Sequence, residues 1–171
     1  MLVVVPETND NISAIREVIT DAFGQVNEAL LVENIRKSPN FIPELSLVAK
    51  ENSNVVGHIL FSPILIEGEQ QTTPALALAP LAVTPSRQQQ GIGSQLVQVG
   101  LSRCRELSHS IVVVLGHSEY YRKFGFQTAS KFGVQAPFSV PDEAFMVLEL
   151  KAGALENVRG MVKYPGYFDE V

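Results

Sequence analysis

The chain has 171 residues, of which 46% are hydrophobic and 18% charged, against a usual charged share of about 25%. This composition predicts one globular domain with a real core and argues against intrinsic disorder. The formal net charge of −5 argues against a general nucleic-acid-binding protein, which would carry a basic domain or face. The lone cysteine, Cys104, excludes a disulfide framework and a zinc site built on thiolates, and it is typical of a reducing, cytoplasmic environment.

The first predicted elements are a strand and two helices. The apolar run Leu2 to Val5 is too brief for an export signal and predicts a strand. A helix capped by Asn9 or Asp10 follows and stops at Gly24, and a second helix is predicted over residues 27–37. The apolar stripe of this second helix comprises Leu30, Leu31 and Ile35.

The remaining elements alternate between strands and helices. Residues 45–49 and 55–61 read as a hairpin, and the wholly apolar strand 111–115 is expected to be buried on both faces. The other predictions are a strand over 73–83, a helix over 91–107, a short helix over 120–124, a strand over 145–150 and a last strand over 160–164. The longest apolar run, which contains Pro80, is far shorter than the roughly 20 residues of a membrane span. We therefore expect a mixed α/β domain over residues 1–150, with 151–171 as its C-terminal extension.

A glycine-containing turn is the most informative stretch of the chain. An apolar strand ends at Val83, a polar loop follows, and Gly91 and Gly93 open an amphipathic helix. Glycines let a ligand approach the backbone, and the first N–H groups of a helix attract anions, so the turn is suited to phosphate. No lysine follows the glycines and Leu96 stands where a third glycine would be, which excludes the nucleotide-triphosphate loop and the dinucleotide fingerprint. A phosphate cradle and a plain strand–helix turn both remain open on this evidence.

Two further segments extend this pattern into a family resemblance. Gln88-Gln89-Gln90-Gly91-Ile92-Gly93 resembles the Gln/Arg-x-x-Gly-x-Gly/Ala motif of the GNAT superfamily of N-acetyltransferases. Residues 120–126 resemble the family's aromatic-Tyr-x-x-x-Gly-Phe signature, and Val55 to Ile59 resemble its third strand. The matches span about residues 3 to 150, and they are most similar to the small bacterial branch of predicted N-acetyltransferases. The resemblance implies a single-domain α/β (α+β mixed) fold whose central, mostly antiparallel sheet is flanked by helices and splays between its fourth and fifth strands.

The resemblance also implies site residues, with acetyl-CoA as the acyl donor and no metal. The cofactor-binding residues would be Leu81, Ala82, Val83, Gln88, Gln89, Gln90, Gly91, Ile92, Gly93 and Ser94. The first three would pair by backbone with the pantetheine arm, although their side chains also suit a core. Tyr121 would protonate the leaving thiolate, because a phenol pKa of about 10 lies near a thiol pKa of about 8.5; packing at a helix end is the alternative. Arg87, Arg122 and Lys123 either steer the polyanionic cofactor or are solvated surface charges.

The implied reaction is direct acetyl transfer to a primary amine of a small-molecule or peptide acceptor within a ternary complex. No nucleophile motif supports a covalent route, and Cys104 lies on the apolar stripe of the long helix. An amine acceptor needs a base, and the candidates are His58, His117, Glu28, Glu33 and Glu119. The three histidines have no metal-ligand spacing.

Other functions stay open at this point. One is a non-catalytic acyl-CoA sensor, and another is an acyltransferase that uses a longer acyl chain or a hydroxyl acceptor. In the family the acceptor site is shaped by segments that correspond here to residues 23–41 and 131–141. The aromatic side chains of these segments, which line an apolar mouth or belong to the core, are Phe23, Phe41, Phe132 and Phe138. No nucleic-acid or membrane partner is implied, and a homodimer is allowed because dimers are common in the family.

Overall fold

A computed structural model describes residues 1–168, which form nine strands and four α-helices. The strands are β1 (Leu2–Pro6), β2 (Ser46–Glu51), β3 (Asn54–Glu67), β4 (Thr72–Val83), β5 (Ile111–Leu115), β6 (Gln127–Thr128), β7 (Val134–Gln135), β8 (Phe145–Glu149) and β9 (Gly160–Lys163). The helices are α1 (Ile12–Phe23), α2 (Asn27–Lys37), α3 (Ile92–Glu106) and α4 (Ser118–Arg122). This order confirms the predicted mixed α/β class and the last strand. Across residues 1–168, none of the helices has the length and apolar character needed to cross a membrane.

The described chain falls into two compact units that interleave along the sequence. Of the described residues, the first unit contains 1–62, 79–103 and 166–168, and the second contains 63–78 and 104–165. Strands β3 and β4 therefore contribute residues to both units. The separation of residues 1–150 from a C-terminal extension stays a prediction.

Strand pairing is mostly antiparallel, as predicted. In the first unit β2 lies between β1 and β3, with Val4 opposite Ala49 and Leu47 opposite Ile59. In the second unit β8 lies between β5 and β6, and β9 pairs with the end of β3. The parallel pairs are β4 with β5, at Leu76 opposite Val112, and β7 with β9.

The core of the first unit forms where α1 and α2 pack together. Gly24 ends α1 in the left-handed conformation with φ +70°, and its N–H donates to Thr20 O at 2.9 Å, as the sequence predicts. The buried residues that meet here are Ile15, Val18, Ile19, Ala29, Leu31, Val32, Ile35, Val48, Leu60 and Ala82. Because Ala82 belongs to this core, the end of β4 is anchored by its side chain as well as by its backbone.

Two glycines let α3 lie close to β3. A Cβ added at Gly100 of α3 would stand 2.4 Å from the ring of Phe61, and one added at Gly57 of β3 would stand 2.9 Å from Leu96 Cδ1. Both distances are shorter than any ordinary van der Waals contact. Because Gly57 and Gly100 have no side chain, α3 can pack directly against β3, and this packing fixes the position of the helix.

Several predicted details of the helices are wrong. A 3-10 turn at Asn9–Asn11 precedes α1, so the cap is not Asn9 or Asp10; Asn11 Oδ1 instead accepts a hydrogen bond from Thr8 N at 2.8 Å. Leu30, which the sequence placed on the apolar stripe of α2, is 37% exposed. The buried face of α2 contains Val32 instead.

The second unit differs in three places from the prediction. Helix α4 begins at Ser118 rather than at residue 120 and ends at Arg122. Gly125, three residues later, has a positive φ of +98°. Leu115 is 47% exposed, so the strand is buried on both faces only up to Val114. Strands β6 and β7 have two residues each, which is too short for a periodic signal in the sequence.

Candidate functional site

The turn between β4 and α3 presents a row of backbone N–H groups. A 3-10 turn at Pro85–Arg87 follows β4, and Gln89 then adopts φ +62° and Gly91 φ +85°. The N–H of Gln95 donates to Gly91 O at 3.1 Å and so starts the helical hydrogen-bond ladder. In the part of the chain that the structure describes, the amides from Gln89 to Gly93 donate no backbone hydrogen bond. Such amides at the start of a helix bind anions.

The space beside Gly91 is open. A Cβ added there would meet no heavy atom within 4 Å. A side chain at this position would therefore occupy volume that the protein leaves to solvent or ligand. The left-handed backbone conformation also favours glycine, so both the shape and the conformation of the turn depend on this residue.

Three side chains of the turn make hydrogen bonds to neighbouring protein groups. Gln88 Nε2 donates to Val83 O at 3.0 Å, and Gln90 Nε2 donates to Ser86 O at 3.4 Å. The Arg87 guanidinium donates to Gln90 Oε1 at 3.0 Å and makes a two-point ion pair with Glu51. Arg87 is therefore ion-paired in this structure with its side chain 29% exposed, and the two roles considered for it stay predictions.

The end of β4 alternates between core and half-buried positions. Ala82 is 2% exposed, whereas Leu81 and Val83 are half-buried. The N–H of Thr84 donates to Val56 O at 2.9 Å, which ties the strand end to β3. The predicted backbone contact of residues 81–83 with the pantetheine arm stays a prediction, as do the roles predicted for Gln88 to Ser94.

Tyr121 lies in the second unit with its ring buried. A Cβ added at Gly116 would stand 2.5 Å from Tyr121 Cε2, and the ring meets Phe126 edge-on with 5.6 Å between centroids. The residue as a whole is 8% exposed, and its phenol oxygen makes no hydrogen bond to another residue of the range 1–168.

The environment of Tyr121 keeps its phenol protonated. Burial raises the pKa of Tyr121 well above its usual value, and the neighbouring Tyr120 adds to the effect. A raised pKa makes the phenol a weaker acid than the comparison of free phenol and thiol values implies, and the acid role of Tyr121 stays a prediction.

His58 is fully buried in a polar network of the first unit. Its Nε2 lies 2.9 Å from Ser46 Oγ, whose hydroxyl donates to Glu7, and Arg36 Nε donates to Glu7 Oε2 at 2.7 Å. Since the serine hydroxyl gives its one hydrogen to the carboxylate, the histidine must carry its own on Nε2. Its Nδ1 has no partner among the described residues. No acceptor can reach this ring, which argues against His58 as the base.

The network makes stability depend on pH. Burial would raise the pKa of Glu7, but the nearby His58 ring and the hydrogen bonds from Arg36 and Ser46 outweigh it and lower the pKa to about 2. Burial also lowers the pKa of His58, and Glu7 offsets this only in part.

We expect acid to destabilise the protein through His58. Its folded pKa is below the unfolded value of 6.5, so the unfolded state takes up the proton first and stability falls as pH drops below about 6.5. Above that pH the contribution is constant. Urea unfolding between pH 8 and pH 5 should show this decline in the wild type and a flatter profile in His58→Gln, by up to about 1.4 kcal/mol per pH unit. His109, whose pKa is also lowered by burial, is common to both proteins. Equal slopes in the two proteins would contradict the assignment.

The other base candidates differ in their hydrogen bonds, ion pairs and exposure to solvent. Glu33 forms an ion pair with Arg16 at 2.6 Å, and both carboxylate oxygens of Glu28 accept from Gln25 Nε2. His117, the N-cap residue of α4, and Glu119 in its first turn are exposed. Glu119 thus shares the short helix of Tyr121, and His117 directly precedes this helix.

The remaining residues singled out by the sequence are mostly structural. Cys104 is buried, as predicted, and burial raises the pKa of its thiol to about 12. Phe41 packs against the core of the first unit. Phe23 is 42% exposed. Phe138 is 43% exposed and stacks on Tyr164 with 5.9 Å between ring centroids.

Arg122 of α4 and Lys123, the C-cap residue of this helix, each contact neighbouring groups of the protein. Arg122 lines an open cavity of about 360 Å³ with Gly125, Phe126, Gln127, Thr128 and Lys131. Lys123 Nζ lies 4.4 Å from the centroid of the Tyr120 ring. Within residues 1–168, no three His, Cys, Asp or Glu side chains are grouped to hold a metal ion.

Comparison with known proteins places this geometry in a family context. Residues 43–128 match a family model described as an acetyltransferase (GNAT) domain. The chain is 41% identical over 132 residues to the Escherichia coli K12 protein YjhQ, an uncharacterized N-acetyltransferase, with 77% of this chain and 73% of that protein covered. It is 35% identical to YhbS of the same organism, also an uncharacterized N-acetyltransferase, with 83% of each chain covered.

Solved structures agree with these matches. The crystal structure of E. coli YhbS in complex with CoA has a TM-score of 0.90 at 30% identity and covers 98% of this chain and 92% of its own. A GNAT family acetyltransferase from Brucella melitensis in complex with acetyl-CoA has a TM-score of 0.81 at 30% identity, with 99% of each chain covered.

Proposed function

Because this chain belongs to the GNAT family of acetyltransferases, we propose that it transfers the acetyl group of acetyl-CoA to a primary amine of a small-molecule or peptide acceptor. The observation that carries this proposal is the turn before α3, where the amides from Gln89 to Gly93 have no backbone partner among residues 1–168 and the space beside Gly91 is open. Similar chains at 30% identity were solved with CoA and with acetyl-CoA.

The turn fits the diphosphate part of that cofactor. Its amides are hydrogen-bond donors at a helix start, where the partial charge of about +0.5 favours an anion. Since the side chains of Gln88 and Gln90 bond to the main chain, the donors offered to the ligand are the amides. The backbone of Leu81, Ala82 and Val83 would pair with the pantetheine arm.

The reaction needs two proton transfers around one acyl transfer. The amine nitrogen attacks the thioester carbonyl, so that a C–N bond forms and the C–S bond breaks. A base takes the proton that the amine loses, and Tyr121 gives its phenol proton to the departing sulfur. Direct transfer within a ternary complex makes proximity the main source of acceleration.

We propose His117 or Glu119 as the base, because both are exposed and close in sequence to Tyr121: His117 is the N-cap residue of α4 and Glu119 lies in its first turn. His58 is buried and Glu33 is ion-paired, and Glu28, which accepts from Gln25, stays an alternative. A water molecule between the base and the amine would serve equally well.

The proposal is tested by following binding and turnover in one sample. Acetyl-CoA is titrated into the protein by calorimetry, and free thiol is then measured as pooled amines are added. We expect binding followed by thiol release that depends on the amine. Binding without release across a broad pool would support a non-catalytic acyl-CoA sensor instead. Release with longer acyl-CoAs or with alcohols would change the donor or acceptor class, and no binding would overturn the proposal.

We propose a cytoplasmic location, because a single, unpaired cysteine is typical of proteins from a reducing environment. A homodimer stays a prediction from the family resemblance.

A further inference from the structure

Glu51 and Arg87 form a two-point ion pair beside the turn, although 36 residues separate them. Arg87 Nη2 donates to Glu51 Oε2 at 2.8 Å, and Nη1 donates to Oε1. The side chains are 30% and 29% exposed, so both are largely covered. A bidentate arrangement of this kind fixes the orientation of the guanidinium as well as its position.

A tight hairpin supports Glu51. The residue ends β2, and the two residues that follow, Asn52 and Ser53, have φ values of 50° and 74°. Positive φ at both central residues is typical of the type I′ turn, whose twist matches that of the paired strands. Glu51 lies opposite Asn54 in the register of β2 and β3, so the carboxylate stands on a well-defined part of the sheet.

Arg87 continues the contact into the turn. Its Nε donates to Gln90 Oε1 at 3.0 Å, and Gln90 Nε2 donates to Ser86 O at 3.4 Å. A chain of side-chain bonds thus runs from Glu51 to the residue before Gly91. It spans Gln89, whose φ of +62° is uncommon for a residue other than glycine and persists only where the surroundings hold it.

We propose that Glu51 is a positioning residue for cofactor binding. Through Arg87 it holds the turn in the shape that presents the amides from Gln89 to Gly93, and Arg87 acts on the turn rather than on a phosphate. This inference rests on the proposed function, because it concerns the same cofactor.

The direction in which Glu51→Gln changes the affinity for acetyl-CoA separates a positioning role from a purely electrostatic one. A carboxylate beside a polyanion opposes binding through its charge, so removing it should tighten binding if charge alone decides. If Arg87 is a phosphate ligand that Glu51 occupies in the free protein, Glu51→Gln releases it and again tightens binding. Only a role in holding the turn makes Glu51→Gln weaken binding, because ordering the loop then falls to the ligand.

Calorimetric titration of acetyl-CoA into the full chain tests the proposal, using Glu51→Gln, Arg87→Gln and the double variant. We expect about fivefold weaker binding in each single variant and no further loss in the double variant, since both substitutions break the same pair. In turnover assays the KM for acetyl-CoA should rise while kcat stays the same. Glu67→Gln is the matched control, because it removes one charge from an exposed pair with Lys163 at 3.9 Å and should not weaken binding.

Unchanged or tighter binding by Glu51→Gln would overturn the proposal, as would additive losses in the double variant. A Glu67→Gln variant that weakens binding equally would also overturn it, because the loss would then not depend on the contact between Glu51 and Arg87. Failure of the wild-type protein to bind acetyl-CoA would overturn the proposed function and this inference together. Wild-type binding that no variant alters would overturn this inference alone.

Discussion

Gly91→Glu is expected to weaken acetyl-CoA binding by at least about 100-fold while leaving the protein folded. The new side chain would enter the open space beside the turn, where a Cβ meets no atom of the protein within 4 Å. Its carboxylate would then stand where we place the pyrophosphate, so steric exclusion and like-charge repulsion act together. The left-handed φ of +85° costs about 1–2 kcal/mol for a side chain, which most domains tolerate.

Gly24→Glu supplies the matched control. Gly24 also has a left-handed backbone, at φ +70°, and an added Cβ would also meet nothing within 4 Å, but it ends α1 instead of opening α3. Both variants should lose similar thermal stability, whereas only Gly91→Glu should lose cofactor affinity in calorimetry. A folded Gly91→Glu protein with wild-type affinity would refute the assignment of the turn.

Tyr121→Phe is expected to lower kcat by about 100-fold, near the lower end of the usual range for general acids. Burial of the ring raises the pKa of Tyr121, so the phenol holds its proton throughout the neutral range but gives it up less readily to a thiolate. The KM for acetyl-CoA and the melting temperature should hardly change, because the ring still packs against Phe126.

Tyr120→Phe is the control for this prediction. It removes a phenol oxygen from the adjacent ring, which meets Tyr121 edge-on with 5.1 Å between centroids. Steady-state kinetics on both variants, with circular dichroism as a check of folding, separates proton donation from packing. An unchanged turnover number in Tyr121→Phe would assign the residue to packing alone.

The parts of the fold that follow from local rules could be predicted from the sequence. Strand β5 is a run of five apolar residues, and α1 has its apolar face at helical spacing and its stop at Gly24. The order of strand, glycines and helix predicted the turn before α3. Three motifs of the sequence resembled those of the GNAT superfamily and indicated the family that the comparisons then established. These features are decided by residues close together in the chain.

Features that depend on distant residues could not be predicted in this way. Arg87 carries no sign of its pairing with Glu51, which comes from a hairpin 36 residues earlier. His58 looks like a candidate base in the sequence, and it is the complete burial of its ring beside Ser46 that argues against this role. The raised pKa of Tyr121 likewise arises from tertiary burial, which its neighbours in sequence do not specify.

Gly57 illustrates the same limit for a glycine. In the sequence it is one residue of a strand that matches the family, yet its role is to leave room for Leu96 and Ile92 of α3. The signal that could have found it is a glycine inside an otherwise β-branched strand, which often marks a close approach of another element.

The inward bonding of Gln88 and Gln90 has a consequence for how acyl donors are told apart. On the binding mode that we propose, the amides of the turn contact the diphosphate that all CoA thioesters have in common, and this contact is insensitive to the length or polarity of the acyl group. On this basis free CoA, the product, competes with the donor for the turn on equal terms. The rate would then follow the ratio of acetylated to free CoA, and preference for one acyl chain has to be exercised by other residues, near the thioester.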